Sequence, residues 1–411
     1  MAAAERILDE AVRGSGDCLR AALAARLRDL NLAEEAFAQA CAAALIAWRR
    51  DGPPRDAPAW LYAAARRRAF DLIRRSRVRQ AYRPDEPAPP PTPEEVVIGA
   101  FEPIPDERLR MIFVCCHPAL SEEARVALTL RTLCGLTAGQ IAKAFLTTEA
   151  AIIQRLTRAR RKIRDAAIPY EVPHRDQWGE RLNAALATQE IAYAQAYERA
   201  DPGAWRALGE EVLRLSGLLV ELLPEEPEVL GFAALVRLAE ARRSARCSPD
   251  GRIVPLAEQD VGLWDRMRLA EAAGLLARAA AQGRTGPYQL LAAIHAAHAS
   301  RGETGVTPWS DILTLYDALV LLRPGAVTEI HRALARLEVE GPEAAWAALQ
   351  ALEDRPELAA YAPWRLARAH VAERAGRTCQ ARTELDQALL TLASAPERGH
   401  VEAWRRRIEG L

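Results

Sequence analysis

Lysine is almost missing from this chain: Lys143 and Lys162 are the only two among 55 basic residues. That bias fits a GC-rich coding sequence and carries no function. Aromatic residues amount to 6% of the chain and β-branched residues are few, which argues against strands. The remainder is rich in Ala, Leu, Arg and Glu, all good helix formers, so an all-α fold is expected. No apolar run approaches the roughly 20 residues a membrane span needs, because Arg or Glu interrupts each one. The amino terminus lacks a secretory pattern, and a cytoplasmic protein with no membrane partner is expected. Seven cysteines, odd in number and scattered, suit reduced core thiols better than a disulfide framework. There is no glycine-rich phosphate loop, no Ser/His/Asp set with supporting context, and no carboxylate with a positioned partner, so neither an enzyme nor a cofactor is expected.

Net charge is also missing, at 55 basic against 55 acidic residues, but the balance hides a division. Through Val172 there are 27 Lys plus Arg against 22 Asp plus Glu; the remainder has 28 against 33. A chain of 411 residues exceeds what one core usually serves. Residues 1–82 read as one helical domain, broken internally at DGPPRDAP (Asp51 to Pro58). Residues 83–104 contain RPDEPAPPPTPEE and read as an extended proline-rich linker. Residues 105–172 read as a second compact helical domain, and 173–411 as helix after helix. In that tail Gly341 and Gly376 each precede an Ala-x-x-x-Leu-x-x-apolar signature, Ala345/Leu349/Leu352 and Ala381/Leu385/Ala388, which suits tetratricopeptide-like helix pairs. Ser248 to Asp260 reads as a turn or short hairpin within the tail.

The clearest local signal is GLTAGQIAKAFLTTEAAIIQRLTRARRKIR, Gly135 to Arg164. Thr137 and Gln140 form a capping box that starts a helix near Ala138. A turn at Leu146–Thr147 follows, and Thr148 caps a second helix from Glu149. This is the layout of a helix-turn-helix. In the second helix Ile152, Leu156, Ala159 and Ile163 form an inward stripe, which leaves Ala150, Gln154, Thr157, Arg158 and Arg161 on the opposite face, with Arg155 and Lys162 at its flank. Gln and Arg near the start of such a helix can bond base edges in the major groove, and the later arginines can meet phosphates. A solvated basic face is the plainer explanation of any charge run, but the capped helix pair favours DNA contact. Ser121, Glu122 and Glu123 start a supporting helix.

A second basic run, WLYAAARRRAFDLIRRSRVRQAYR, spans Trp60 to Arg83. Its arginines Arg66, Arg67, Arg68, Arg74, Arg75, Arg77 and Arg79 are opposed by one acidic residue, Asp71, and suit phosphate contact. Trp60, Tyr62, Phe70 and Tyr82 could stack on exposed bases, although Trp60, Phe70, Leu72 and Ile73 also fit a core. Cys115, Cys116 and His117 lack a second ligand pair at metal-site spacing, so no metal is expected and a buried helix terminus is preferred. His295 and His298 could line a groove, but helix packing is the commoner role for such histidines. Trp264 with Asp265 and Arg266 reads as a core anchor.

Together these segments resemble an extracytoplasmic-function sigma factor of the sigma-70 family. NLAEEAFAQACAAALIAW, Asn31 to Trp48, resembles the region 2 helix that docks on the clamp of the polymerase β′ subunit, and the resemblance implies core-polymerase contacts for Glu34, Glu35, Phe37, Gln39 and Trp48. AWLYAAARRRAFDLIRR is similar to the segment that opens and holds −10 promoter DNA, which implies that role for Trp60 and the arginines from Arg66 to Arg79. Leu128 to Arg164 resembles region 4, which engages the polymerase β flap and reads −35 duplex; Thr147, Thr148, Gln154, Arg155, Arg158, Arg161 and Lys162 are its candidate contacts. FVCCHPALSEEARVALTLR in the second domain and the tail segments PEEPEVLGFAAL, LAEQDVGLWDR and GPYQLLAAIHAAHA resemble the subgroup with a long tetratricopeptide-like extension, which implies a regulatory protein or ligand as its partner. The alternative is a helix-turn-helix regulator with a sensing repeat domain that never docks on polymerase.

Overall fold

The structure is a computed structural model and describes residues 2–80, 105–144, 147–171, 178–198, 204–246, 248, 254–358, 361–392 and 395–410. It contains helices and turns and, among these residues, no strand. Contacts divide the chain into two compact units, Met1–Ala196 and Tyr197–Leu411.

The first unit opens with α1 (Ala2–Leu27), α2 (Leu30–Asp51) and α3 (Ala57–Gln80). Asp29 starts α2 by accepting bonds from the Asn31 and Leu32 amides at 2.8 and 3.1 Å, and Asp56 caps α3 through the Ala59 amide at 2.9 Å. These carboxylates satisfy donors that a helix start leaves free. Small residues line the seams, with Ala33, Ala36, Ala40 and Ala44 of α2 and Ala65 and Ala69 of α3 all buried, so the helix axes can approach closely. By length and composition α2 is the one helix among the described residues that could cross a membrane, which the expected interruption by charge did not anticipate. Its buried stripe packs instead against α1 and α3. The proline-rich segment 83–104 lies outside the described residues.

Four more helices follow: α4 (Pro105–Cys115), α5 (Glu122–Thr132), α6 (Ala138–Ala144) and α7 (Glu149–Asp165). Helix α1 packs against both α4 and α5, so the two expected domains 1–82 and 105–172 form one packed body. Helix α8 (Trp178–Glu198) falls almost wholly within this unit, and Trp178 lies against Phe113 with ring centroids 6.2 Å apart. Contacts divide the chain at 196/197, whereas the sequence reading divides it at 172/173, where Pro169 and Pro173 interrupt the helical pattern. A proline interrupts a helix but says nothing about what the next helix packs on.

The second unit runs through α9 (Ala204–Leu222), α10 (Pro227–Ala241), α11 (Arg266–Ala281), α12 (Pro287–Ala299), the short α13 (Arg301–Thr304), α14 (Trp309–Leu322), α15 (Ala326–Val339), α16 (Pro342–Gln350), α17 (Ala362–Arg374), α18 (Thr378–Thr391) and α19 (Ala395–Glu409). From α14 onward each helix packs on the next, the arrangement of a one-dimensional helical array. Gly341 and Gly376 have φ of 92° and 71° and allow the chain to turn where a side chain would be strained. The signature residues beyond them, Ala345, Leu349, Leu352, Ala381, Leu385 and Ala388, are all buried. The described part of Ser248 to Asp260 forms a 3-10 turn at Leu256–Glu258 and no hairpin strand. Trp264 is buried under the Arg301 guanidinium, and Asp265 caps α11 through the Met267 and Arg268 amides.

His295 and His298 pack between helices. Arg242 Nη2 donates to His295 Nδ1 at 2.7 Å; because guanidinium offers donors only, that nitrogen is unprotonated. His298 sits edge-on to Trp309 at 5.2 Å. Burial, then Arg242, His331 and Arg301, pull His298 down to about 4 from 6.5. Burial and then Arg242 hold His295 well below its ordinary value. An unfolded histidine protonates near 6.5, so the unfolded chain binds more protons over this window. Stability from the neutral rings is complete above pH ~6.5 and is lost as pH falls toward ~4. Urea denaturation at pH 7 and pH 5 should show the loss, and His298→Phe should reduce it by up to about 1.4 kcal/mol per pH unit. An equal pH dependence in H298F would assign the loss to other groups.

Candidate nucleic-acid interface

The helix-turn-helix is built from its caps inward. Thr137 N donates to Gln140 Oε1 at 2.8 Å and Gln140 N donates to Thr137 Oγ1 at 3.1 Å, the reciprocal pair that starts α6. Thr148 Oγ1 accepts from the Ala151 amide at 3.2 Å and starts α7. Its hydroxyl is therefore engaged by its own helix. Thr147 is half-buried, with its amide bonded to Ala142 O at 3.0 Å; Leu146, the other residue of the expected turn, lies outside the described residues. Ile152, Leu156, Ala159 and Ile163 are at most 4% exposed and fix α7 on α5 and α6.

That burial sets the outer face. Ala150, Ile153, Gln154, Thr157, Arg158, Arg161 and Lys162 are exposed. Among the described residues Arg158, Arg161 and Lys162 form no ion pair, so their charge is available to an anion. Arg155 differs, since its guanidinium reaches Glu123 of the supporting helix at 2.9 Å and is 27% exposed. It braces α7 on α5 and is a weaker candidate for base contact than its position in the basic run suggests.

On α3, Arg66, Arg67 and Arg68 are exposed and form no ion pair among the described residues. Arg74 is exposed and bonded to Asp71 at 3.2 Å; the side chains of Arg75, Arg77 and Arg79 lie outside the described residues. Trp60 is half-buried and meets Trp48 edge-on at 5.4 Å. Phe70, which also fitted a core, is 44% exposed next to the arginines.

The residues expected to dock on polymerase separate into two groups. Phe37 and Trp48 are 4% and 3% exposed and belong to the bundle core. With Ala33, Ala36, Ala40 and Ala44 they complete a helical stripe, so they position α2 and leave contact to its other side. Glu35 is exposed and accepts from Gln39 Nε2 at 3.2 Å. Glu34 is paired with Arg160 of α7 at 2.7 Å. Arg160 belongs to the basic run but was not among the candidate contacts, and its partner lies on a helix 126 residues away. Cys115 ends α4 as a buried residue, and Cys116 Sγ lies 3.3 Å from Thr129 Oγ1; burial pushes both thiols up.

Residues 110–163, which include the capped helix pair and its basic face, match the family described as Sigma-70, region 4. The chain carries a sigma-70 region 4 domain. Proteins of this class bind DNA in transcription, with RNA polymerase and promoter DNA as their general partners, and catalyse no bond chemistry through region 4. Residues 181–280 match a family of unknown function, DUF6596. The uncharacterized protein R00370 of Rhizobium meliloti (strain 1021) is 39% identical over 387 residues, which cover 92% of this chain and 90% of that protein. No solved structure matches the chain.

Proposed function

We propose that this chain is a cytoplasmic sigma factor of the extracytoplasmic-function type. It docks on the β′ clamp of core RNA polymerase through the outer side of α2, with Glu34, Glu35 and Gln39, and on the β flap through region 4. It reads −35 duplex with Gln154, Arg158, Arg161 and Lys162, and engages −10 DNA with Arg66, Arg67, Arg68 and the arginines beyond them. The observation that carries the reading is the exposed basic face of α7 within the region 4 match, where Arg158, Arg161 and Lys162 form no ion pair among the described residues. A tetratricopeptide-like role for the helical array in the second unit, as a regulatory extension, is part of the same proposal.

The other reading is a regulator with a sensing repeat domain. It draws on a cavity of about 630 Å³ in the second unit, lined by Ile330, His331, Leu366, His370, His400 and Trp404, a size and lining that suit a small molecule. The two readings part at α2. Glu35→Lys should lower core-polymerase affinity by about tenfold or more and leave duplex binding unchanged. Transcripts with defined starts from core polymerase, the wild-type chain and genomic fragments would accompany that loss. DNA binding without any polymerase association would favour the regulator.

A further inference from the structure

Arg160 is turned away from the open face of α7. Its Nη2 donates to Glu34 Oε1 at 2.7 Å and its Nη1 donates to Asn31 Oδ1 at 3.1 Å. The two charged side chains keep 15% and 18% of their exposure, so the pair is largely out of water. The contact continues past the end of α7, where Tyr170 hydrogen-bonds the Leu30 backbone and burial raises its phenol. A crevice of about 380 Å³, lined by Arg28, Asp29, Asn31, Arg164 and Tyr170 among others, follows the same seam. Arg28 and Ala167, on its two sides, have φ of 51° and 47°, a conformation that non-glycine residues adopt at a cost and keep only where surrounding contacts impose it.

Glu34 and Asn31 stand at the start of the helix assigned to polymerase docking. A carboxylate bonded to Arg160 cannot at the same time serve a basic residue of a partner. We propose that Arg160 is a latch: it holds the helix-turn-helix on α2 in the free chain, and core polymerase must displace it from Glu34 and Asn31 to dock. The inference rests on the sigma-factor reading of α2. A shielded ion pair suits such a latch because, once opened to water, it contributes little, so the open state is not pulled back strongly.

The test uses the full-length chain. Hydrogen–deuterium exchange is followed in peptides spanning residues 28–33 and 166–171, and core-polymerase affinity is measured in parallel. Arg160→Glu should speed exchange in both peptides and raise polymerase affinity at least fivefold, and the exchanged pair Glu34→Arg with Arg160→Glu should restore protection. Arg160→Gln serves as the milder opening variant if circular dichroism shows that R160E loses helix. Unchanged protection in folded R160E and R160Q would overturn the latch, whatever polymerase does. Lost protection with unchanged or weaker affinity, in a wild-type chain that binds polymerase, would overturn the competition. If the wild type binds no polymerase, the sigma-factor reading fails and the competition with it, while the exchange data still decide whether α7 is held to α2.

Discussion

Replacing Arg158, Arg161 and Lys162 together with alanine is expected to reduce duplex binding by at least about a thousandfold, since a charge-assisted contact contributes about 1.5–3 kcal/mol. All three are exposed on the face of α7 opposite its buried stripe and form no ion pair among the described residues. Their loss removes no packing, so stability should stay within about 0.5 kcal/mol. The salt dependence distinguishes this effect from a general weakening. Each phosphate contact releases condensed counterions, and the slope of log affinity against log salt should fall by about 0.9 for each cation removed. Gln154→Ala should behave differently, relaxing preference at a base pair with the slope retained. Fluorescence anisotropy at several salt concentrations separates the cases. An unchanged slope in the triple variant would place the DNA on another surface.

What could be read from sequence was mostly what is decided locally. The capping box of Thr137 and Gln140 and the cap at Thr148 involve residues three apart, and the stripe from Ile152 to Ile163 is a matter of helical period. The glycine-led signatures after Gly341 and Gly376 were legible for the same reason. Misplaced expectations depended on distant neighbours or on resemblance. Phe37 and Trp48 were implied as polymerase contacts by resemblance, while they share a helical period with Ala33, Ala40 and Ala44; that period was in the sequence and points them into the core. Arg155 and Arg160 belong to one basic run, yet one meets Glu123 and the other Glu34. Which arginine of a run finds a carboxylate is fixed by tertiary packing, which charge patterning does not encode. Ser248 to Asp260, read as a turn or short hairpin, holds a 3-10 turn at Leu256–Glu258 in its described part, since Pro, Asp and Gly favour a turn without specifying what flanks it.

Glu384→Ala is expected to destabilise the second unit by about 3–5 kcal/mol, because it leaves a buried guanidinium without its principal counter-charge. Arg368 Nε donates to Glu384 Oε1 at 2.6 Å, and the two side chains are 7% and 6% exposed. Arg365 donates to the other carboxylate oxygen at 3.0 Å. The guanidinium also lies over Trp346 at 4.7 Å and Trp364 at 5.4 Å, so one charged node joins α16, α17 and α18. Glu353, 3.6 Å from Arg368 but 55% exposed, is a poor substitute for the lost carboxylate. The double variant Arg368→Met with Glu384→Leu should recover most of the loss, since an apolar pair of similar volume removes both desolvation costs. For a unit of this size the single variant should melt roughly 10 °C lower. From α14 onward the helices contact mainly their neighbours, so accelerated hydrogen exchange should concentrate in α16, α17 and α18 and fade toward α10. Uniformly faster exchange across the unit would show that it unfolds as one cooperative body. A double variant no more stable than E384A would show that the node contributes through its geometry over the two tryptophans rather than through charge balance.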